Sequence, residues 1–261
     1  AWLAADAAYK RAVETYAAKQ AALKREARPK RAPDFSPSPP VASRWEDLPA
    51  PGDEERGKLR ALAVELTQIH RGFPGLQRAE ARIAERANAV RFLDTEGFAH
   101  RQTERAVRVL LTADTQADDG TPLRDVAVAM APGLSSLPPA VALAELSRTL
   151  AARLTERAVA ANLEDPYLGP VLFTAQAAAE FFRQTLATDL CGTPSPVAAE
   201  DYMKGWVKGG QLARFVGLRI LPAWMDVTDD PTRAEWRGRP LVGGYAVDRE
   251  GVPAETVRLV R

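Results

Sequence analysis

The chain reads as an α+β protein. Three observations predict this. An alanine-rich stretch of helical period opens the chain, alternating residues between two turn signals mark a β-meander near the middle, and helical stretches stand apart from those strands instead of alternating with them.

Residues 2 to 25 set Trp2, Leu3, Ala7, Val13, Tyr16, Ala17 and Leu23 at roughly helical spacing among many alanines. Lys19, Lys24, Arg25 and Arg28 gather towards the C-terminal end, where cations suit the helix dipole. The pattern predicts a solvated helix docked by one face. Residues 29 to 52 carry Pro33, Pro37, Pro39 and Pro40 and predict an extended connector with no helix and no central strand.

Residues 53 to 71 predict a second helix. Asp53, Glu54 and Glu55 fill its first turn, Leu59, Leu62, Ala63, Leu66 and Ile69 form its apolar stripe, and Phe73-Pro74-Gly75 closes it. Gln77 to Asn88 mixes alanines with charges and is ambiguous between strand and helix. Ala89 to Leu93 is strand-like, Asp94-Thr95-Glu96-Gly97 is a turn, and Phe98 to Ala113 alternates as a long strand. Val107, Val109 and Leu111 face one way. Asp118-Asp119-Gly120 turns the chain again before a strand from Leu123 to Met130.

A third helix is predicted over 139 to 163, with Val141, Leu143, Leu146, Leu150 and Leu154 on its core face. Val171-Leu172-Phe173 reads as a short buried strand and Ala175 to Leu190 as a fourth helix. Residues 192 to 210 are loop-rich. Short strands and turns follow, at Asp229-Asp230-Pro231, Arg237-Gly238-Arg239 and Asp248-Arg249-Glu250-Gly251. The organisation expected is an N-terminal helix (1–28), a proline-rich connector (29–52), an α+β domain (53–165) and the start of a β-rich domain (166–261).

Bulk properties narrow the function. The 261 residues are 46% hydrophobic and 26% charged with a net charge of +1, ordinary for a globular protein. Such a balance gives no field to recruit nucleic acid or an anionic membrane, and neither partner is expected. No apolar run of about 20 residues spans a bilayer. Cys191 is the single cysteine, so no disulfide can form within the chain. The chain opens on Ala1-Trp2-Leu3 inside a helical pattern and stops at Leu259-Val260-Arg261 inside a strand pattern, which suggests a piece of a longer polypeptide. With no leader visible, the cytoplasm is expected, or the periplasm or exterior if a leader preceded residue 1.

Individual candidates are sparse. His70 and His100 lie thirty residues apart with no Cys/His cluster, and read as surface or hydrogen-bonded residues. Cys191 would need a nearby base to act as a nucleophile and reads as a buried structural residue. Asp229, Asp230, Asp248 and Glu250 could work as an acid–base set, although acidic residues beside Pro and Gly commonly just build turns. Gly209-Gly210 and Gly243-Gly244 lack phosphate-loop spacing and read as tight bends. Trp206, Trp224 and Trp236 are expected to pack a core or a subunit interface.

The strand, the Asp94-Thr95-Glu96-Gly97 turn, the second strand and the Asp119-Gly120 turn together resemble the N-terminal domain of the TldD/PmbA family (U62 metallopeptidases, modulators of DNA gyrase). Gly169-Pro170-Val171-Leu172-Phe173 with Ala177-Ala178-Ala179 resembles the start of that family's C-terminal domain. Asp229-Asp230-Pro231-Thr232 and Asp248-Arg249-Glu250-Gly251-Val252-Pro253 resemble its acidic loop. The matches lie between residues 89 and 260.

The resemblance implies a dimer of family subunits, one type carrying zinc on His-Glu-x-x-x-His and the other zinc-free, acting on unfolded peptides. Two imidazoles and a carboxylate in that motif hold a metal and activate its water. Here the matching positions are Arg183, Gln184 and Thr188, so the chain is more similar to the zinc-free PmbA (TldE) type. No metal and no cofactor is expected. The residues also leave open an active hydrolase built on Cys191 or the acidic loop, and a purely structural assembly module.

Overall fold

The computed structural model describes residues 2–26, 42–44, 51–94, 97–163, 165–191, 210–248 and 250–261. The chain is α+β and divides into two compact units, each built from separated stretches. One comprises Ser36–Tyr167 with Asp230–Thr256. The other comprises Ala1–Phe35, Leu168–Asp229 and Val257–Arg261.

The first unit is organised by a meander of β2 (Arg78–Leu93), β3 (Ala99–Gln116) and β4 (Pro122–Ala131). β2 pairs antiparallel with β3 from Arg78↔Asp114 to Leu93↔Ala99, and β4 pairs antiparallel with β3 from Val107↔Ala131 to Gln116↔Pro122. The ambiguous stretch 77–88 is therefore strand. Its alanines favour helix locally, but a continuous ladder to β3 overrides that preference. Between β2 and β3, Asp94 Oδ1 accepts from the Phe98 N–H at 2.9 Å and Gly97 takes φ +96°. Thr95 and Glu96 of the predicted turn lie outside the described residues. Between β3 and β4, Gly120 sits at φ +86° and Asp119 Oδ1 accepts from the Thr121 N–H at 2.9 Å.

The core lies between one face of this sheet and two helices, α2 (Asp53–Gln68) and α3 (Ala140–Ala158). Val109, Leu111 and Ala113 of β3 meet Leu66 of α2 and Leu143, Ala144, Leu150 and Leu154 of α3. Asp125 on β4 ties α3 to the sheet through Arg153 Nε at 2.6 Å. The predicted stripe of α3 holds except at Val141, which is exposed. It stands in the first turn, outside the surface that faces the sheet.

The described part of the connector supplies an edge strand and no central one. Within residues 29–52, β1 (Ala42–Arg44) is a strand, pairing in parallel with Ala99–Arg101 of β3. It takes the stretch of β3's edge that β4 leaves unpaired. Residues 27–41 and 45–50 lie outside the described residues.

The second unit contains α1 (Trp2–Glu26), α4 (Ala175–Phe182), and the antiparallel pair β5 (Val227–Asp229) and β6 (Val257–Val260). The strand expected at Val171-Leu172-Phe173 is absent. These residues form no regular structure and are exposed, Leu172 at 87%. An apolar triplet becomes a strand only where a neighbour supplies the ladder, and no described strand lies beside it. Phe173 stacks on Phe181 of α4 instead, centroids 4.4 Å apart. The predicted loop at 192–209, with Trp206 and Gly209, lies outside the described residues. Trp224 and Trp236 fall in different units and are exposed, Trp224 at 80%, so neither packs a core. Among the described residues, no helix is long and apolar enough to cross a membrane.

Candidate functional site

The positions singled out for a metal motif fall at the end of α4, where the helix changes pitch. Arg183–Ala187 form a π-helical turn continuing Ala175–Phe182. A π turn widens the helix so that residues five apart stand over one another. Thr188 makes that relation explicit: its hydroxyl donates to the Arg183 carbonyl oxygen at 3.3 Å. Positions 183 and 188 thus share a face, and position 184 adjoins them.

The side chains there form their own closed set. Arg183 donates from Nε to Glu180 Oε2 at 2.9 Å and from Nη2 to Oε1 at 2.6 Å, and Gln184 Nε2 donates to Oε1 at 2.6 Å. The bonds from Arg183 and then Gln184 hold the Glu180 carboxyl down at about 2, and the same pairing raises the Arg183 guanidinium. All of this is solvent-exposed. Zinc asks for neutral imidazole, thiolate or carboxylate ligands in tetrahedral array. Arg183 stays protonated and has no lone pair to give, the Gln184 amide and Thr188 hydroxyl are weak ligands, and the Glu180 carboxylate is occupied. The residues do not fit the metal. Among the described residues, no group of three or more His, Cys, Asp or Glu comes together that could hold one.

The acidic residues build turns. Asp230 Oδ1 accepts from the Thr232 hydroxyl at 2.6 Å and from its N–H at 3.2 Å, and Oδ2 faces Arg233 Nε at 3.4 Å. The Thr232 hydroxyl bond leads the causes that lower the Asp230 pKa. Asp248 Oδ1 accepts from the N–H groups of Glu250 at 2.8 Å and Val252 at 2.9 Å, closing a loop whose ends meet in a Val247↔Pro253 bridge. Gly251, at φ +85°, lies flat on the buried Phe98 ring. Asp229 is an exposed residue of β5, paired with Val257, and Glu250 is exposed. Asp230, Asp248 and Glu250 belong to the meander unit and Asp229 to the other. Arg249 lies outside the described residues.

The remaining candidates divide. His70 and His100 are buried in the meander unit. His70 Nε2 lies 3.0 Å from Ser147 Oγ, and His100 Nε2 lies 3.1 Å from Gln102 Oε1. Cys191, expected to be buried, is exposed. It follows the last turn of the α4 segment instead of packing beneath it. It borders a cavity of about 840 Å³ in its own unit, lined also by Asp189, Phe215, Ile220 and Arg258. Gly210 is a site of close approach: a Cβ there would collide with the Cys191 carbonyl oxygen. Gly244 is held similarly against the Pro231 carbonyl oxygen at 2.9 Å.

One cleft was not foreseen. It occupies about 910 Å³ in the meander unit, where the β2–β3 ladder runs on past the end of β4. The ladder sets Asn88 opposite Glu104 and Arg86 opposite Ala106, so these side chains share one sheet face with Gln102. Leu241, Val242 and Tyr245 supply an apolar wall. The sequence signal was the run of polar residues at even positions, 86 and 88 on one strand and 102 and 104 on the other. It was masked by the uncertain assignment of 77–88.

Compared with models of known protein families, the chain matches none, and a comparison with curated proteins finds no match either.

Proposed function

We propose that the chain is a non-catalytic subunit of a TldD/PmbA-type peptidase assembly, pairing with a zinc-bearing relative and helping to hold an extended peptide. One observation carries this reading. A His-Glu-x-x-x-His motif needs residues five apart on one helix face, and the π turn at Arg183–Ala187 supplies that geometry at the positions the resemblance picks out. The turn is the form of a metal helix carrying side chains that cannot bind the metal.

The 910 Å³ cleft supports the substrate class. An apolar wall facing a floor of Arg86, Asn88, Gln102 and Glu104 offers side-chain contact and hydrogen bonds to a peptide without demanding one sequence. A cytoplasmic location goes with this reading, because a chain with one cysteine has no disulfide to form. The test is elemental zinc analysis with a peptide-hydrolysis assay, on the chain alone and mixed with a His-Glu-x-x-x-His relative. The expectation is no zinc and no turnover alone, and turnover in the mixture. Stoichiometric zinc or hydrolysis by the isolated chain overturns the reading.

A second reading rests on the exposed Cys191 beside its 840 Å³ cavity, which would make the chain a thiol-dependent hydrolase. Cys191→Ala separates the two, since activity that survives the substitution removes the thiol from the chemistry.

A further inference from the structure

α1 is a 25-residue helix, about 37 Å long, and Ala22 is its only buried hydrophobic residue. Trp2, Tyr9, Tyr16 and Leu23 recur every seventh position, a spacing that drifts only about 20° per step and so marks one stripe. Leu23 is half-buried beside Ala22. The rest of the stripe is open: Trp2 is 79% exposed, Tyr9 70% and Tyr16 62%, with Val13 flanking them. Ala5, Ala12 and Lys19 alternate with the larger residues along the same stripe; the two alanines are exposed and Lys19 is half-buried. A surface helix normally spends its apolar side on packing, and here that side faces solvent.

We propose that this face is a homodimer interface, α1 pairing antiparallel with α1 of a second copy. Three features favour a second copy in that orientation. From Trp2 to Tyr16 the stripe alternates large with small, and Lys19 takes the next position; an antiparallel register sets Tyr9 against Ala12 of the second copy, Tyr16 against Ala5 and the Trp2 ring against the Lys19 side chain, twice over by the two-fold. A parallel pair would stack Tyr on Tyr in one layer and Ala on Ala in the next, demanding two different helix separations. The flanking positions carry no like-charge clash: they are Asp6, Val13 and Gln20 on one side and Ala8, Thr15 and Ala22 on the other, and Asp6 is already bridged to Lys10 at 2.8 Å. The area fits a weak, reversible pair: three aromatic side chains and Val13 at these exposures offer at most roughly 500 Å² per helix, about 1,000 Å² for the two.

The inference is independent of the proposed function. It is tested by sedimentation equilibrium of the full chain, with Tyr9→Glu/Tyr16→Glu compared by circular dichroism to show that the fold is kept. The parent is expected to dimerise with micromolar affinity and the variant to be monomeric. Tyr9→Ala alone should weaken association at least about tenfold. Cysteines fix the orientation. In a Cys191→Ser background, Ala5→Cys/Tyr16→Cys should oxidise to a covalent dimer bridged from 5 to 16 of the second copy, whereas Ala7→Cys/Ala18→Cys, on the opposite side of the helix, should not. A monomeric parent, a dimer indifferent to Tyr9→Glu/Tyr16→Glu, or equal cross-linking by both pairs overturns the proposal.

Discussion

Replacing Ser147 by alanine removes a buried link between the two core helices, and its cost follows from three atoms. The Ser147 hydroxyl donates to the Leu66 carbonyl oxygen at 3.0 Å, so its single proton is committed there. The contact with His70 Nε2, also 3.0 Å, must then be donated by the imidazole. That fixes the neutral Nε2–H tautomer and leaves Nδ1 buried with no hydrogen-bond partner. Alanine at 147 strands a buried N–H and weakens the hold on a helix-end carbonyl, at about 2–3 kcal/mol in total. For a chain of this size the melting midpoint should fall by roughly 5–10 °C. Burial also lowers the His70 pKa from 6.5, and an imidazolium would place a second N–H at the unpartnered Nδ1. Because the folded pKa lies below the unfolded one, the unfolded chain binds more protons between the two values. Stability from this group is complete above about pH 6.5 and is lost as the pH falls from there towards the folded pKa. Urea unfolding followed by circular dichroism at pH 7.5 and pH 5 measures both effects. His70→Gln keeps a donor for Ser147 and removes the titration, so its stability should vary less over that range. A Ser147→Ala loss below about 0.5 kcal/mol, or an unchanged pH response in His70→Gln, refutes the reasoning.

Other substitutions probe the same framework. Leu150→Ala, at a site 1% exposed between α3 and the sheet, should cost about 2–5 kcal/mol in denaturant unfolding. Gly251→Ala meets both a left-handed backbone and the Phe98 ring 3.1 Å from the added carbon, and should cost about 2 kcal/mol by the same measurement. Asp125→Asn weakens the ion pair to Arg153 and should cost about 1 kcal/mol at low salt, with the difference from the parent shrinking as salt is added.

The legible parts of the sequence were those whose period and partners lie close together. The β3–β4 hairpin announced itself through Val107, Val109 and Leu111 and the Asp119-Gly120 turn, and α2 through its acidic first turn and Leu62/Leu66 stripe. What stayed hidden depends on distant neighbours. Arg78 to Asn88 is strand because β3 runs beside it for its whole length, and Ala42–Arg44 is strand because an edge was open. Val171–Phe173 looks like a strand in isolation and is not one, no strand among the described residues lying beside it. The site was legible in residue type and not in shape: Arg183, Gln184 and Thr188 could be read from the chain, but the π turn that sets 183 and 188 on one face could not.

The most direct test of the account is to restore the motif. The triple substitution Arg183→His, Gln184→Glu, Thr188→His places two imidazoles and a carboxylate on the π turn. Zinc titration by calorimetry, run beside the parent chain, should then show binding by the variant and none by the parent. A parent that takes up zinc, or a variant that binds it no better than the parent, contradicts the claim that this turn is a metal-binding scaffold without its ligands.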